Sequence, residues 1–346
     1  MLCVQNVCLQ TNLLFYTRSL VCQCCIAIVS DLFTFCGEAY SAGARNSIDH
    51  RTCKGAVNTA DGFYRAAKLL PFELREAALK LPESERGAAE ELRLRTGRSF
   101  TVLLPDGEHE PAPGRRVLPS DVSQVLEAAS RASVHSVAGE LRRGFVTAPG
   151  GVRVGVCGTA SQDGGVRDVS SMNIRIPREM PGIGAAAARR LLVPVRSVLI
   201  ISPPGGGKTT FLRELVRLAS SSGVRVSLAD ERGEIAAAHG GVPQFDVGPF
   251  TDVLTGAERA QGALTLLRSM SPQVIAMDEI SEPEDAAAVL SIANCAVKIF
   301  ATAHADCMDD LSRREIYRSL MSAGVFEAVA VIKNRHGARE YEVTQL

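Results

Sequence analysis

From Phe63 to Arg98, apolar residues recur every three or four positions and place Leu69, Leu70, Leu74 and Leu79 on one stripe. That spacing predicts helix across the stretch. The next run, RSFTVLLPDGE, predicts a strand ending in a turn at Asp106-Gly107. Two short helices are expected in LPSDVSQVLEAASRASVHSVAGELRRG, the first capped by Ser120 and the second stopped by Gly144. Onward to Pro177 the pattern alternates, broken by Pro149-Gly150-Gly151 and Asp163-Gly164-Gly165, which predicts consecutive hairpins. Residues 63–180 therefore read as a small α+β domain, followed by a linker that runs into a helix.

After Pro194 the rhythm changes. RSVLIIS, VRVSLADE, PQVIAMDE and AVKIFATAHA are short, nearly continuous apolar runs, separated by helical stretches from Thr209, Gly256 and Glu282. The segment Gly240 to Thr255 reads as a long loop rich in glycine, proline and aspartate. Strands apolar on both sides and alternating with helices predict a parallel sheet covered on both faces, so residues 181–346 read as an α/β domain.

Composition changes this picture little. The 346 residues balance 38 Lys and Arg against 38 Asp and Glu, and aromatics are 5%. No basic stripe interleaved with aromatics is present, so no nucleic-acid partner is expected. Seven of the ten cysteines (Cys3, Cys8, Cys22, Cys24, Cys25, Cys36 and Cys53) crowd the start. CQCC at Cys22 to Cys25 has no second pair to complete a zinc site, and Leu20 to Val29 is too short to span a bilayer. Residues 1–60 are expected to be a disordered leader, or an upstream segment wrongly joined to the coding region, and no direct membrane insertion is expected.

The candidate chemistry sits in LIISPPGGGKTTFL. A strand, a glycine-rich turn and a helix aim successive backbone N–H groups at phosphate oxygens. Here Ser202, Gly205, Gly206, Gly207, Lys208, Thr209 and Thr210 form the candidate loop, with Lys208 on the β/γ oxygens and the Thr209 hydroxyl on Mg²⁺. Ser202 stands where the pattern usually has glycine, a small-for-small exchange expected at the rim of the loop. VIAMDEI ends a buried strand in Asp278, expected to hold Mg²⁺ through water, and Glu279, expected to polarise the attacking water. SLADERGEI brings Asp230, Glu231 and Glu234 to the end of another strand, and IFATAHA brings Thr302 and His304 to the end of a third. Hydrolysis also wants a guanidinium; Arg153, Arg175, Arg178, Arg232, Arg259 and Arg268 are the candidates.

These stretches, together with LRRGFVTAPGGVRVGVCG and SSMNIRIPRE, resemble the stage III sporulation protein AA family from about Phe63 to the C-terminus. That family is similar to the ATPases of secretion systems and pilus motors. The resemblance implies a RecA-like P-loop NTPase core with a smaller N-terminal α+β domain hinged to it, and ATP and Mg²⁺ as ligands. It implies a homo-hexameric motor in the mother-cell cytoplasm, peripheral to the membrane channel proteins of a secretion-like complex with the forespore. Glu279, Asp278, Glu231, Glu234, Arg175 and His304 take catalytic places by this resemblance, with Thr209 and Asp278 on the metal. Two other readings stay open: a nucleic-acid-stimulated RecA-like ATPase, and a non-hydrolysing nucleotide-gated assembly module.

Overall fold

Helix holds only for the first part of the stretch from Phe63. The computed structural model, which describes residues 59–131, 138–162, 164–335 and 338–346, has α1 (Thr59–Ala67), α2 (Phe72–Leu79) and α3 (Glu83–Ala88), then turns to strand at β1 (Glu91–Arg95). Leu92 and Leu94 alternate with Glu91, Arg93 and Arg95, a period of two that a window of helix-forming residues hides. The cysteine-rich leader and its CQCC run lie outside the described residues.

The chain continues through β2 (Thr101–Leu104), β3 (Gly107–His109), α4 (Pro119–Ser130), α5 (Ala138–Arg142), β4 (Phe145–Ala148), β5 (Val152–Ala160) and β6 (Val166–Arg175). Helix α4 begins one residue before the expected Ser120 cap. Pro119 fits its first position, and the Asp121 carboxylate accepts the Leu118 N–H at 2.8 Å. The six strands form an antiparallel sheet in the order β3-β2-β1-β6-β5-β4. One face is apolar: Leu92, Leu94, Val102, Val154 and Ile174 pack with Phe63, Leu74 and Val125 from the helices. Each such side chain contributes about 1.5–3 kcal/mol on burial.

Beyond the linker come α6 (Ala185–Leu192), β7 (Val198–Ser202), α7 (Lys208–Ser221), β8 (Val226–Asp230), β9 (Thr251–Thr255), α8 (Arg259–Ser269), β10 (Val274–Met277), α9 (Pro283–Asn294) and β11 (Lys298–His304). The chain closes with α10 (Met308–Arg313), α11 (Glu315–Ser322), β12 (Ala328–Arg335) and β13 (Ala338–Gln345). The sheet order is β13-β12-β7-β11-β10-β8-β9, parallel except for the β12–β13 hairpin. The stretch expected as loop up to Thr255 thus ends in β9, a half-exposed edge strand beside β8 whose apolar pattern is too sparse to announce it. Alternation along β7 explains the two-faced cover. Leu199 and Ile201 face the α8–α9 side, and Val198 and Ile200 face α6 and α7.

The described residues fall within one compact unit, Gly55–Leu346. The two sheets meet where the loop after β8 reaches the β4–β5 turn. The Gly150 N–H donates to Gln244 Oε1 at 2.8 Å, and His239 Nδ1 lies 2.7 Å from the Thr147 carbonyl. A side chain on Gly151 would meet the Phe245 ring at 2.8 Å, so the turn closes on that ring only with glycine.

Candidate functional site

Strand β7 ends at Ser202, and the chain turns through Pro203 to Gly207 into α7. Gly205 and Gly207 take φ of +73° and +98°, angles a residue with a Cβ resists. Ser202 is not at the rim of this turn. It is fully buried beneath it, and its hydroxyl donates to the Pro203 carbonyl at 2.9 Å. A Cβ on Gly206 would lie 2.3 Å from the Ser202 oxygen and 2.7 Å from its Cβ. The exchange at 202 is therefore tolerated because Gly206 leaves room for it. Gly206→Ala should cost about 1–3 kcal/mol through overpacking, and Ser202→Gly in the same chain should recover part of that loss. Denaturant unfolding of the two single variants and the double variant checks the coupling.

Lys208 opens α7 with its ammonium turned inward, 3.1 Å from the Ser202 carbonyl and 2.7 Å from His304 Nδ1. An ammonium only donates, so Nδ1 accepts and the imidazole proton sits on Nε2. Nε2 in turn stands 3.0 Å from Glu279 Oε2. Lysine, histidine and glutamate thus form one chain across the ends of β7, β11 and β10. Burial pushes the Lys208 pKa down, opposed by the charges of Glu279 and Asp278. Burial pushes Asp278 up, opposed by the Thr302 hydroxyl that donates to it at 3.0 Å.

The three acids at and after the end of β8 separate by role. Asp230 is 1% exposed, and its carboxylate accepts the N–H groups of Glu234, Ile235 and Ala236 at 2.8–3.3 Å. Its burial raises its pKa against those three donors, and its lone pairs are committed to folding the turn. Glu231 and Glu234 remain half-exposed. Glu234 meets Arg153 Nη1 at 2.7 Å, and Glu231 meets Arg259 Nη2 at 3.1 Å.

The arginine candidates divide in the same way. Arg259 is buried and joins four groups: the Glu231 carboxylate, Asp285 Oδ2 at 2.9 Å, Ser281 Oγ at 3.4 Å and the Glu279 carbonyl. Arg153 lies over the Phe145 ring and reaches the acidic turn. Arg175 stands opposite Arg153 on the paired strand, yet it is 63% exposed and its nearest carboxylate is Glu91 at 3.6 Å. Arg178 donates to the carbonyls of Ala88 and Ala89, while Arg232 and Arg268 are exposed. Thr209 and Thr210 follow Lys208 in the first turn of α7, both half-buried. Among the described residues no three His, Cys, Asp or Glu side chains form a self-contained metal cluster. A Mg²⁺ ion held by one carboxylate, one hydroxyl and substrate phosphates needs none.

A strand-loop-helix turn with an Asp-Glu pair and a histidine at neighbouring parallel strand ends defines an α/β P-loop NTPase fold, here with a smaller N-terminal α+β part. The fold is shared with the pilus retraction motor PilT with bound ADP, at TM-score 0.56 and 16% identity over 79% of this chain and 82% of that one. It is shared also with the Legionella pneumophila ATPase DotB, at TM-score 0.54 and 15% identity over 78% of each chain. The family described as Sporulation stage III, protein AA matches residues 65–342. Stage III sporulation protein AA of Bacillus subtilis (strain 168) is 33% identical over 290 residues, covering 78% of this chain and 91% of that protein. The chain belongs to the stage III sporulation protein AA family.

Proposed function

We propose that this chain is a Mg²⁺-dependent ATP hydrolase working as a homo-hexameric, ring-forming motor in the mother-cell cytoplasm. It energises a membrane channel complex between mother cell and forespore. The observation that carries the hydrolase reading is the convergence of Lys208, His304, Glu279, Asp278 and Thr302 beside one glycine-rich turn. The motor reading is supported by the family and by a fold shared with the pilus retraction motor PilT and the ATPase DotB.

In this reading the loop amides from Gly205 to Thr209 hold the β-phosphate, and Lys208 leaves the backbone carbonyls for an anionic partner that suits it better. His304, with its proton on Nε2, holds Glu279 as a carboxylate beside the terminal phosphate. Glu279 then orients the attacking water and takes its proton. Thr209 and Asp278 are the residues that would hold Mg²⁺, a hard-oxygen set that suits the ion, which supplies charge neutralisation on the phosphate oxygens. Glu231 and Glu234, each held by an arginine, line the same side. Arg153 approaches from the first sheet of the same chain, while Arg175, exposed on that sheet, is available to a neighbouring subunit in a ring.

Two measurements on the purified full chain test the reading: turnover with Mg²⁺ or with chelator, and mass in solution with a non-hydrolysable ATP analogue. Mg²⁺-dependent turnover that disappears in Lys208→Ala, and a hexamer formed with the analogue, are the expected results. Turnover unchanged in Lys208→Ala removes the mechanism. A permanent monomer removes the ring.

A further inference from the structure

The arginine that sequence reasoning does not find lies on the opposite lip of the loop. Strand β13 packs against α6, and two side chains on one of its faces reach the start of α7. The Tyr341 ring stacks on Phe211 at 4.8 Å between centroids, and two residues earlier Arg339 reaches Gly207. The point where a Cβ would sit on Gly207 is 3.0 Å from both Cζ and Nε of Arg339 and 3.3 Å from Nη1. Near-equal distances to three atoms of the plane lay the guanidinium flat over the glycine. Gly207 is thus fixed twice, by its positive φ and by the planar group above it.

Arg339 has no carboxylate partner among the described residues. Its one hydrogen bond runs from Nη1 to the Met180 sulfur, at 3.7 Å. A thioether is a weak acceptor, so the fork keeps most of its donor capacity unused at the mouth of an anion-seeking loop. The position is also informative. The Lys208–His304–Glu279 chain gathers on the β11–β10 side of β7, whereas Arg339 comes from the β12–β13 side. A nucleotide whose terminal phosphate faces the first side must run its inner phosphates past the second.

We propose that Arg339 is a phosphate-binding residue supplied by the same chain. Its guanidinium grips the inner phosphates of the nucleotide, opposite the lysine and glutamate that act on the terminal one. This rests on the nucleotide reading above, and the experiment separates the two. ADP and inorganic pyrophosphate are titrated into the wild-type chain and into Arg339→Ala and Arg339→Lys, with thermal melts of each.

Arg339→Ala should weaken both ligands by about tenfold or more, the size of a lost charge-assisted pair. Arg339→Lys should recover part of the loss, because it keeps the charge without the fork. Melting points should stay close to wild type, since no carboxylate is left unpaired. If Arg339→Ala melts far lower, Arg339→Lys alone carries the comparison, and wild-type affinity in it overturns the guanidinium contact. Equal binding by wild type and Arg339→Ala overturns the proposal and leaves the nucleotide site standing. Loss for ADP with none for pyrophosphate overturns the phosphate contact. Absence of ADP binding by the wild type overturns the nucleotide reading itself.

Discussion

Glu279→Gln should lower ATP turnover by about 10²–10⁴-fold while leaving nucleotide affinity within about threefold of wild type. The split follows from the geometry. His304 Nε2 stands 3.0 Å from Glu279 Oε2, and glutamine keeps an oxygen of the same reach in that place. Lys208, Asp278 and the loop keep their partners, so the substrate meets the same cradle. The basic lone pair that takes the proton from water is lost, together with one negative charge beside Lys208 and His304. Single-turnover hydrolysis beside equilibrium binding measures the two quantities separately. Turnover close to wild type would move the base elsewhere, and a parallel collapse of affinity would mean that Glu279 shapes the loop instead.

The second large effect is on stability. Arg259→Leu should cost about 3–5 kcal/mol, the usual penalty for removing one member of a buried charge network. Its Asp285 partner is only 6% exposed at the side chain and also accepts the N–H groups of Ser281 and Glu282 at the start of α9. Without the guanidinium, one buried carboxylate loses its counter-charge. The Glu279 carbonyl loses a donor as well, and Glu231 loses its tether. A fall in melting temperature of roughly 10 °C is expected. Arg259→Leu combined with Asp285→Leu should be less damaging than Arg259→Leu alone, because no orphaned charge remains. If the double variant is worse by the sum of both singles, Arg259 acts through packing and the network is incidental.

How much of this was legible in the chain depends on how local each feature is. The phosphate loop is contiguous, and Asp278, Glu279, Thr302 and His304 sit at the ends of apolar runs. Spacing and the parallel-sheet expectation were enough to gather them. Strand β1 was hidden because its signal is two leucines in five residues, set among alanine, glutamate and arginine. What makes it a strand is pairing with β2 and β6, the second of which lies some eighty residues away. The arginines were harder still. Arg153 and Arg175 face each other across two strands, and only the closure of the β4–β5 turn onto Phe245 decides which of them reaches Glu234. Nothing in GAREYEV marks Arg339, whose place comes from the register of a hairpin that no pattern after His304 announced. Ser202 was misjudged for a related reason: the strand end was readable, but its depth depended on Gly206 lying above it.

The turn after β8 is held from both sides. Arg213 of α7 lies over the Phe245 ring and donates to the carbonyls of Glu234 and Ile235, while Arg153, Thr147 and Gly150 hold the same segment from the first sheet. Such a segment works as a tendon. A push on the phosphate-loop helix reaches the outer sheet through a handful of short, directional bonds, with no slack length of chain to absorb it. Swinging the outer sheet away requires Glu234 either to travel with it or to let go of Arg153. Separating the two sheets therefore changes the surroundings of Glu234 in either case.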